Sequence, residues 1–594
     1  MTLDTSLEAL VEEWLRLDQN EVTKAEVQRL YAAKDNAELE RRMRKRIEFG
    51  TAGLRGRMAA GWACMNDMIV IQASQGLCAY VLQNVRDAAS RGVVVGHDHR
   101  HNSERFAQLT AAAFLSNGVK VYLHRGLVHT PIVPFSVKRL NAACGVMITA
   151  SHNPKQDNGY KVYWENAVQI IEPHDKGISA SIKANLEPQI WQTDSIHNSP
   201  LCIDKTEEMK EAYFSALSTL CLQRPLNEQT SLKFVSTSMH GVSHPFMTRA
   251  FEQFGLSAFT PVTEQQIPDP DFPTVKFPNP EEKGMDLAIS TANECGADYV
   301  LAQDPDADRF AAAERGKDGK WIMFTGDQLG TLFASSVFDK YKTSGKPIEK
   351  LAMVASTVSS KMIESMAKAE GFKFAECLTG FKFIGNTALK LEQEGYQVPF
   401  GYEEAIGFMF GSEIRDKDGV AASVMFAEMV VALRRQGKTA SSHLQELYKK
   451  YGFFQTSNSY FICNEPATID KIFARIRNYD GAVSASPSYP KKIAGLTVTS
   501  VRDLTVGYDS ANPPSYKPTL PLSSGHMIQF RAESPTDGTK ITLTTRTSGT
   551  EPKIKYYLEG SGNDASQVAS LLPRVVVELA NEWMEAKENQ LGLQ

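Results

Sequence analysis

The stretch DPDADR, residues 304–309, places Asp304, Asp306 and Asp308 at alternate positions after the apolar run DYVLAQ. Alternation along an extended or gently turning backbone points all three carboxylates the same way. Held about 5 Å apart, each pair would repel by roughly 3 kcal/mol at an effective dielectric near 20, so the group calls for a cation. An all-oxygen donor set selects a hard ion, Mg²⁺ before Ca²⁺ or Zn²⁺. An EF-hand is excluded, because the sixth position is Arg309 instead of Gly and the twelfth is Arg315 instead of Glu. Taken alone, the motif also fits an acidic turn on the surface.

A second apolar run, CGVMITA, stops in a small polar loop carrying Ser151 and His152 ahead of Asn153 and Pro154. No GxSxG elbow is present to make this serine an acyl-transfer nucleophile. A hydroxyl that accepts a phosphoryl group needs a nearby cation, and a metal on the three aspartates with Arg309 alongside supplies one. His152 is placed to move protons. A capped turn before Pro154 is the plainer reading of this loop.

Four other loops carry polar groups of matching character. FGTAGLRG, 49–56, sets Arg55 among glycines, where a guanidinium fork suits phosphate and a plain turn with a surface arginine is the alternative. TGFK, 379–382, places Lys382 after a glycine, and RDKDG, 415–419, offers Lys417. GYEEAIG, 401–407, sets Glu403 and Glu404 between glycines, where carboxylates suit vicinal sugar hydroxyls or the first turn of a helix. In RTSGTEPKIK, 546–555, Ser548, Gly549 and Thr550 offer successive backbone N–H groups as an anion nest flanked by Arg546 and Lys553, and a plain hairpin turn is the alternative. One reacting serine, one metal site, one sugar-hydroxyl loop and one distal phosphate clamp describe phosphoryl transfer on a sugar phosphate.

The elements that must position these loops follow from hydrophobic period. Short β-branched or apolar runs at 93–100, 119–126 and 145–154 alternate with helical stretches, and the rhythm recurs at 232–241 and 297–309, then at 350–360, 371–382 and 398–407. Ligands of such sheets sit beyond the carboxyl ends of the strands, where all these polar loops fall. Residues 5–47 have helical spacing and end in the basic run Arg41, Arg42, Arg44, Lys45, Arg46, expected to be a solvated helix face. Past about residue 450 the pattern changes to strand-like pieces, a Pro-, Ser- and Asn-rich loop at 508–524, and a helix from about 563 to 589. The expected fold is α/β: three similar mixed-sheet α/β domains and a C-terminal α+β domain. The expected boundaries are 1–212, 213–328, 329–448 and 449–594.

With 594 residues the chain exceeds one hydrophobic core. Its net charge of −5 provides no general field for nucleic acid or anionic membrane, so anionic ligands must be held by local clusters. No apolar stretch is long enough to span a bilayer, and the N-terminus is acidic where a signal peptide is basic. Eight cysteines without CxxC pairs fit reduced thiols. The expected protein is a cytoplasmic monomer with small-molecule partners.

TASHNP, DPDADR, the glutamate loop and RTSGTEP, in that order, resemble the motif set of the α-D-phosphohexomutase superfamily along nearly the whole chain. FPTVKFPNPEE (272–282), DNGYKVYWENAVQI (157–170) and YEEAIGF (402–408) look most like the eukaryotic phosphoglucomutase-2 group of phosphopentomutases with phosphoglucomutase activity. The resemblance implies four domains around one central cleft and an intramolecular phosphotransferase. Its substrates would be ribose or deoxyribose 1-phosphate, converted to the 5-phosphate, and glucose 1-phosphate, converted to the 6-phosphate. One Mg²⁺ per chain and a sugar bisphosphate, as activator and intermediate, would take part.

It further implies that Ser151 is the phosphoserine and a metal ligand with Asp304, Asp306 and Asp308, and that Arg309 is a phosphoserine partner. Arg55, His152, Lys382 and Lys417 would surround the transferring group, with Thr379 and Gly380 beside Lys382 in the substrate site. Glu403 would hold sugar hydroxyls, and Arg546, Ser548, Gly549, Thr550 and Lys553 the distal phosphate. One position departs from the pattern: hexose-specific relatives carry GExSG in the sugar loop, whereas here the serine position is Ala405 and Tyr402 stands before the glutamate. Loss of a hydroxyl that bonds a sugar OH adds weight to a pentose substrate. A glucose-1,6-bisphosphate synthase and a non-catalytic sugar-phosphate binding protein are the alternative functions.

Overall fold

A computed structural model describes residues 6–463, 465–481, 487–548 and 552–593, without the side chains of 282, 283 and 593. The chain begins with three short helices, Leu7–Leu17, Glu21–Ala32 and Asn36–Met43. Each starts at a residue whose side-chain oxygen accepts from the first free N–H groups, namely Ser6, Asn20 and Asp35. Leu10, Val11, Trp14 and Leu17 recur at helical spacing, and that face is buried. Trp14 meets the edge of Trp62 at 4.8 Å between ring centroids, so the helices join the core of the first α/β segment. The basic run is a neutralised helix face: Arg41 pairs with Glu38, Arg42 with Glu26 and Glu38, and Arg44 with Glu40, while the Arg46 guanidinium lies over Trp62.

The first sheet has six strands in the order 54–57, 157–163, 144–148, 93–97, 121–123, 202–203. Its inner strands 93–97, 121–123 and 144–148 run parallel and 157–163 runs antiparallel, which makes the sheet mixed. Every residue of 93–97 and 144–148 is buried, as continuous apolar runs require when helices cover both faces. The second sheet has five strands, ordered 321–323, 310–315, 299–303, 234–237, 260–261, again parallel at its heart with antiparallel 310–315 beside 299–303. The third segment has strands 351–356, 373–377, 397–403 and 407–410, the last two forming an antiparallel hairpin. The candidate loops begin just past Ile148, Gln303 and Glu403, each at the end of a strand.

After residue 451 a largely antiparallel sheet is covered by the helices Pro466–Arg477 and Ala565–Glu578, the expected α+β arrangement. The last helix passes at Leu579–Trp583 into a π turn, and Trp583 is buried edge-on to Phe530 at 4.7 Å. By compactness the chain divides into two units. One runs to Lys346 and takes in 350–354 and 380–441; the other comprises 347–349, 355–379 and the residues from 442 onward. Among the described residues no helix is long and apolar enough to cross a membrane.

Trp14 has no solvent exposure. Its replacement by alanine should destabilise the first unit by about 3–5 kcal/mol, measured by urea denaturation followed by circular dichroism. An unchanged midpoint would show that the N-terminal helices are not part of the core.

Candidate active site

The strand Tyr299–Gln303 turns back into Phe310–Arg315 through DPDADR. The turn closes with an Ala307 N–H to Asp304 carbonyl bond of 2.8 Å and puts Ala307 in the left-handed region at φ 55°. It is tighter than an extended segment, yet it gathers oxygens of Asp304, Asp306 and Asp308 within 4.8 Å of one another, all buried. The Lys161 ammonium bridges two of them, 2.7 Å from Asp306 Oδ2 and 2.8 Å from Asp308 Oδ2. Thr130 Oγ1 donates to Asp306 Oδ2 at 2.5 Å, Lys417 Nζ stands 3.3 Å from Asp308 Oδ2, and the Arg309 N–H donates to Asp304 Oδ1 at 3.0 Å.

These contacts set the charges. Burial works to raise all three carboxyls, but Lys161 holds Asp306 and Asp308 below the usual range, aided by Thr130 at Asp306 and by Lys417 at Asp308. Asp304 is pushed well above it by burial and by its two charged neighbours. Asp306 Oδ1 and Asp308 Oδ1 are buried and accept no hydrogen bond. Two buried carboxylate oxygens without a hydrogen bond, beside a third carboxylate, form an all-oxygen set that fits a hard divalent cation.

Ser151 follows the strand Cys144–Ile148 and adopts a left-handed conformation, φ 53°. Its N–H donates to Thr149 Oγ1 at 2.9 Å, and its hydroxyl donates to Asp304 Oδ2 at 2.8 Å across 153 residues of sequence. His152 Nδ1 lies 3.3 Å from Ser151 Oγ. Burial, with Arg309 and Arg55 nearby, holds the His152 ring well below its ordinary pKa. Arg55 lies on strand Leu54–Arg57 opposite Gly159, and its guanidinium donates to Asn153 Oδ1 at 3.3 Å. A Cβ at Gly159 would stand 2.5 Å from the Thr149 carbonyl oxygen, which is why the start of strand 157–163 can lie so close to the serine loop.

The hairpin 397–403/407–410 turns through Glu404, Ala405 and Ile406. Ile406 is a β-branched residue at φ 51°, a local strain held in place by its surroundings. Arg309 Nη1 donates to the Ala405 carbonyl at 3.1 Å, and the Phe310 N–H donates to that of Ile406 at 3.1 Å. Glu403 is buried, and burial pushes its carboxyl up to about 7 although Lys417 opposes the shift. Lys417 keeps its charge: burial acts against it, but Asp308, Asp416 and Glu403 raise its pKa. Gly407 gives the lysine room, since a Cβ there would meet the Lys417 chain at 2.4 Å. Lys382, in the first turn of helix Phe381–Gln393, donates to Thr51 Oγ1 in the 49–56 loop. Gly380 precedes that helix at φ 108°.

Thr379 belongs to the second unit, as do the distal candidates. Strands 540–547 and 553–562 form an antiparallel pair with Arg546 opposite Lys555. The Ser548 N–H donates to the Lys553 carbonyl at 3.0 Å, Arg546 Nη2 donates to the Tyr557 hydroxyl at 3.1 Å, and the Lys553 ammonium sits 4.0 Å above the Tyr460 ring. Arg546 Nε is buried without a hydrogen-bond partner. Gly549 and Thr550 lie outside the described residues.

Residues 46–189, 211–317 and 325–451 match the α/β/α domains I, II and III of phosphoglucomutase/phosphomannomutase. The chain belongs to this family. It is 45% identical to the phosphopentomutase of Mus musculus over 94% of this chain and 90% of that one. It is 44% identical to the phosphoribomutase of Saccharomyces cerevisiae, covering 99% and 98%. Human glucose 1,6-bisphosphate synthase is also 44% identical, with 99% and 96% covered. Among solved structures, the open form of the Paramecium phosphoglucomutase parafusin superposes with a TM-score of 0.65 at 18% identity, covering 91% of this chain and 95% of that one, a likeness of fold. By these relatives the chain is a member of the α-D-phosphohexomutase superfamily, most like the phosphoglucomutase-2 group.

In this phosphoglucomutase/phosphomannomutase chain, Ser151, His152, Arg55, Asp304, Asp306, Asp308, Arg309, Glu403 and Lys417 fall in one neighbourhood through the contacts above. The sequence reading missed Lys161 and Thr130. Lys161 lies in DNGYKVY, which served only as a mark of resemblance, and nothing local distinguishes it from any strand lysine.

Because Glu403 binds its proton more tightly folded than unfolded, its contribution favours the folded state most below pH 4.5. That contribution is lost as pH rises through 7, by about 3 kcal/mol over the window. Relative to wild type, Glu403→Gln should gain stability between pH 5 and pH 8 in denaturation midpoints. A constant difference would show the carboxyl ionised throughout.

Proposed function

We propose that this chain is a phosphopentomutase with phosphoglucomutase activity, moving a phosphoryl group between the 1- and 5- or 6-positions of a sugar through Ser151 and a sugar bisphosphate. The observation that carries the reading is the Ser151 hydroxyl bound to Asp304 within a buried three-aspartate cluster in which two oxygens accept no hydrogen bond. A serine held against paired acids, with Arg309, Lys417 and Lys161 around it, is suited to carrying a dianionic group. The cation Mg²⁺, held by Asp304, Asp306, Asp308 and an oxygen on Ser151, would supply positive charge to the transferring phosphoryl oxygens.

In the first transfer the P–O bond to Ser151 breaks and a P–O bond to a sugar hydroxyl forms. The hydroxyl proton passes to His152, the proposed acceptor 3.3 Å from Ser151 Oγ, which hands it on to the departing Ser151 oxygen. The bisphosphate then turns around and returns its other phosphoryl group to Ser151, while the proton goes back to the sugar oxygen. Arg55, Arg309, Lys382 and Lys417 balance the charge of the reacting phosphate, with Thr379 and Gly380 beside Lys382. Glu403 orients the sugar hydroxyls. Arg546, Ser548, Gly549, Thr550 and Lys553 are proposed to hold the phosphate that does not react. All eight cysteines are free thiols, in keeping with a cytoplasmic location, and the proposed state is a monomer.

Ala405 supports a pentose preference. Its carbonyl is engaged by Arg309, and its methyl offers no hydrogen bond to a sugar hydroxyl. Release of the bisphosphate as product is a second reading, favoured by the 44% identity to glucose 1,6-bisphosphate synthase. Product analysis with 1,3-bisphosphoglycerate as donor separates the two.

Ser151→Ala should lower turnover of ribose 1-phosphate by at least about 10³-fold, and the wild-type protein should carry phosphate on Ser151 by mass spectrometry. Normal turnover in the variant would sink the mechanism. Separately, Ala405→Ser should raise the ratio of kcat/KM for glucose 1-phosphate over ribose 1-phosphate about 10-fold. An unchanged ratio would remove position 405 from the specificity argument.

A further inference from the structure

The chemistry proposed above leaves two observations unused: a buried arginine beneath the serine loop, and the segment FPTVKFPNPEE. Arg100 lies just past strand Val93–His97, and its side chain has no exposure. Its Nη2 donates to the carbonyls of Ser151 and Asn153, each at 2.6 Å, and its Nη1 to those of Pro154 at 2.9 Å and Asp157 at 3.2 Å. Four main-chain oxygens of the serine loop thus converge on one guanidinium. Asp98 steadies the arginine from below, with Oδ2 3.5 Å from Nε and Oδ1 accepting from the Arg100 N–H and the Ser103 hydroxyl.

The other face of the guanidinium is covered by Phe272, whose ring centroid is 5.0 Å away and which also meets His99 edge-on at 5.3 Å. Phe272 is buried and left-handed, φ 46°. Its N–H donates to the Asp269 carbonyl at 3.2 Å, its carbonyl accepts from the Val275 N–H at 3.1 Å, and the Asp269 N–H is anchored on the His240 carbonyl at 2.9 Å. The neighbouring Asp271 reaches Lys155 at 3.1 Å and His101 at 3.3 Å. A segment of the second α/β layer therefore closes over the arginine that ties down the serine loop of the first.

We infer that Arg100 and Phe272 form a positioning pair that fixes Ser151 in its left-handed conformation, with its hydroxyl aimed at Asp304, for both phosphoryl transfers. A non-glycine residue at positive φ persists only when its surroundings over-determine it. Four carbonyls held by a planar fork do so, whereas a lysine, with three donors on a point charge, cannot reproduce the array. The Phe272 ring keeps water from competing for those N–H groups, and its cation–π contact holds the fork in plane. Neither side chain touches Ser151 Oγ, so both act through the loop. The inference rests on the reading of Ser151 as the phosphoryl carrier.

The test uses the full chain as Arg100→Lys, Phe272→Ala and Phe272→Tyr. Measured are kcat and KM for ribose 1-phosphate with saturating glucose 1,6-bisphosphate, the Ser151-phosphorylated fraction by mass spectrometry, and thermal unfolding. Arg100→Lys should lower kcat about 100-fold and Phe272→Ala about 10-fold, with KM within about 3-fold of wild type and phosphorylation of Ser151 slowed in step with kcat. Phe272→Tyr, which keeps the ring, should restore kcat. If Arg100→Lys does not fold, Phe272→Ala decides. Wild-type kcat in a folded variant, or a loss of activity that only follows the loss of folded protein, overturns the inference while Ser151 remains phosphorylated in wild type. A wild-type chain that turns over without phosphate on Ser151 overturns the parent reading, and this one with it.

Discussion

Three carboxylates held within 4.8 Å of one another and shut away from water are the constraint on which the first unit depends. At an effective dielectric near 20 their mutual repulsion is of the order of 3 kcal/mol per pair. The fold answers with cations drawn from separate segments: Lys161 from the first α/β segment, Lys417 from the third, and Arg309 from the aspartate turn itself. Convergence of these loops is thus a requirement of charge as well as of packing. The same arrangement leaves Asp306 Oδ1 and Asp308 Oδ1 without a hydrogen bond, which confines the remaining deficit to these two oxygens.

The loops around the cluster are joined main chain to main chain. The Thr130 N–H bonds the Asp306 carbonyl, the Val242 N–H that of Pro305, the Gly419 N–H that of Ala307 and the Phe310 N–H that of Ile406. Ser151, Ala307 and Ile406 take left-handed conformations within this web. Strain is affordable there because each strained residue is tied to neighbours on other elements, and it frees the side chains to face a ligand. Ala405 shows the benefit. Arg309 grips its carbonyl, so the side chain at 405 can change while the link between the aspartate turn and the 397–410 hairpin stays. Relatives 45% and 44% identical carry the names phosphopentomutase and glucose 1,6-bisphosphate synthase.

The chemical groups of the candidate site are legible in the sequence. The alternating aspartates, the serine after an apolar run and the glycine-bounded glutamates are local patterns, and local patterns survive in sequence because strand period and turn chemistry act over a few residues. The α/β rhythm and the change of class near residue 450 were visible for the same reason. The basic run 41–46 shows the limit of composition: five cations suggest an open charged face, but glutamates one helical turn away neutralise most of it.

By itself, the sequence determined the chemical groups, their order along the chain and the strand ends that present them, because covalent spacing and hydrophobic period decide these. Only the tertiary structure decided which charge answers which. Lys161 meets Asp306 across 145 residues, Thr130 meets it across 176, and Arg100 holds the carbonyl of Ser151 across 51. No spacing rule foretells such pairs. They exist because burial removes water as the competing partner, so that each charge must find its counterpart wherever packing brings one within hydrogen-bond reach.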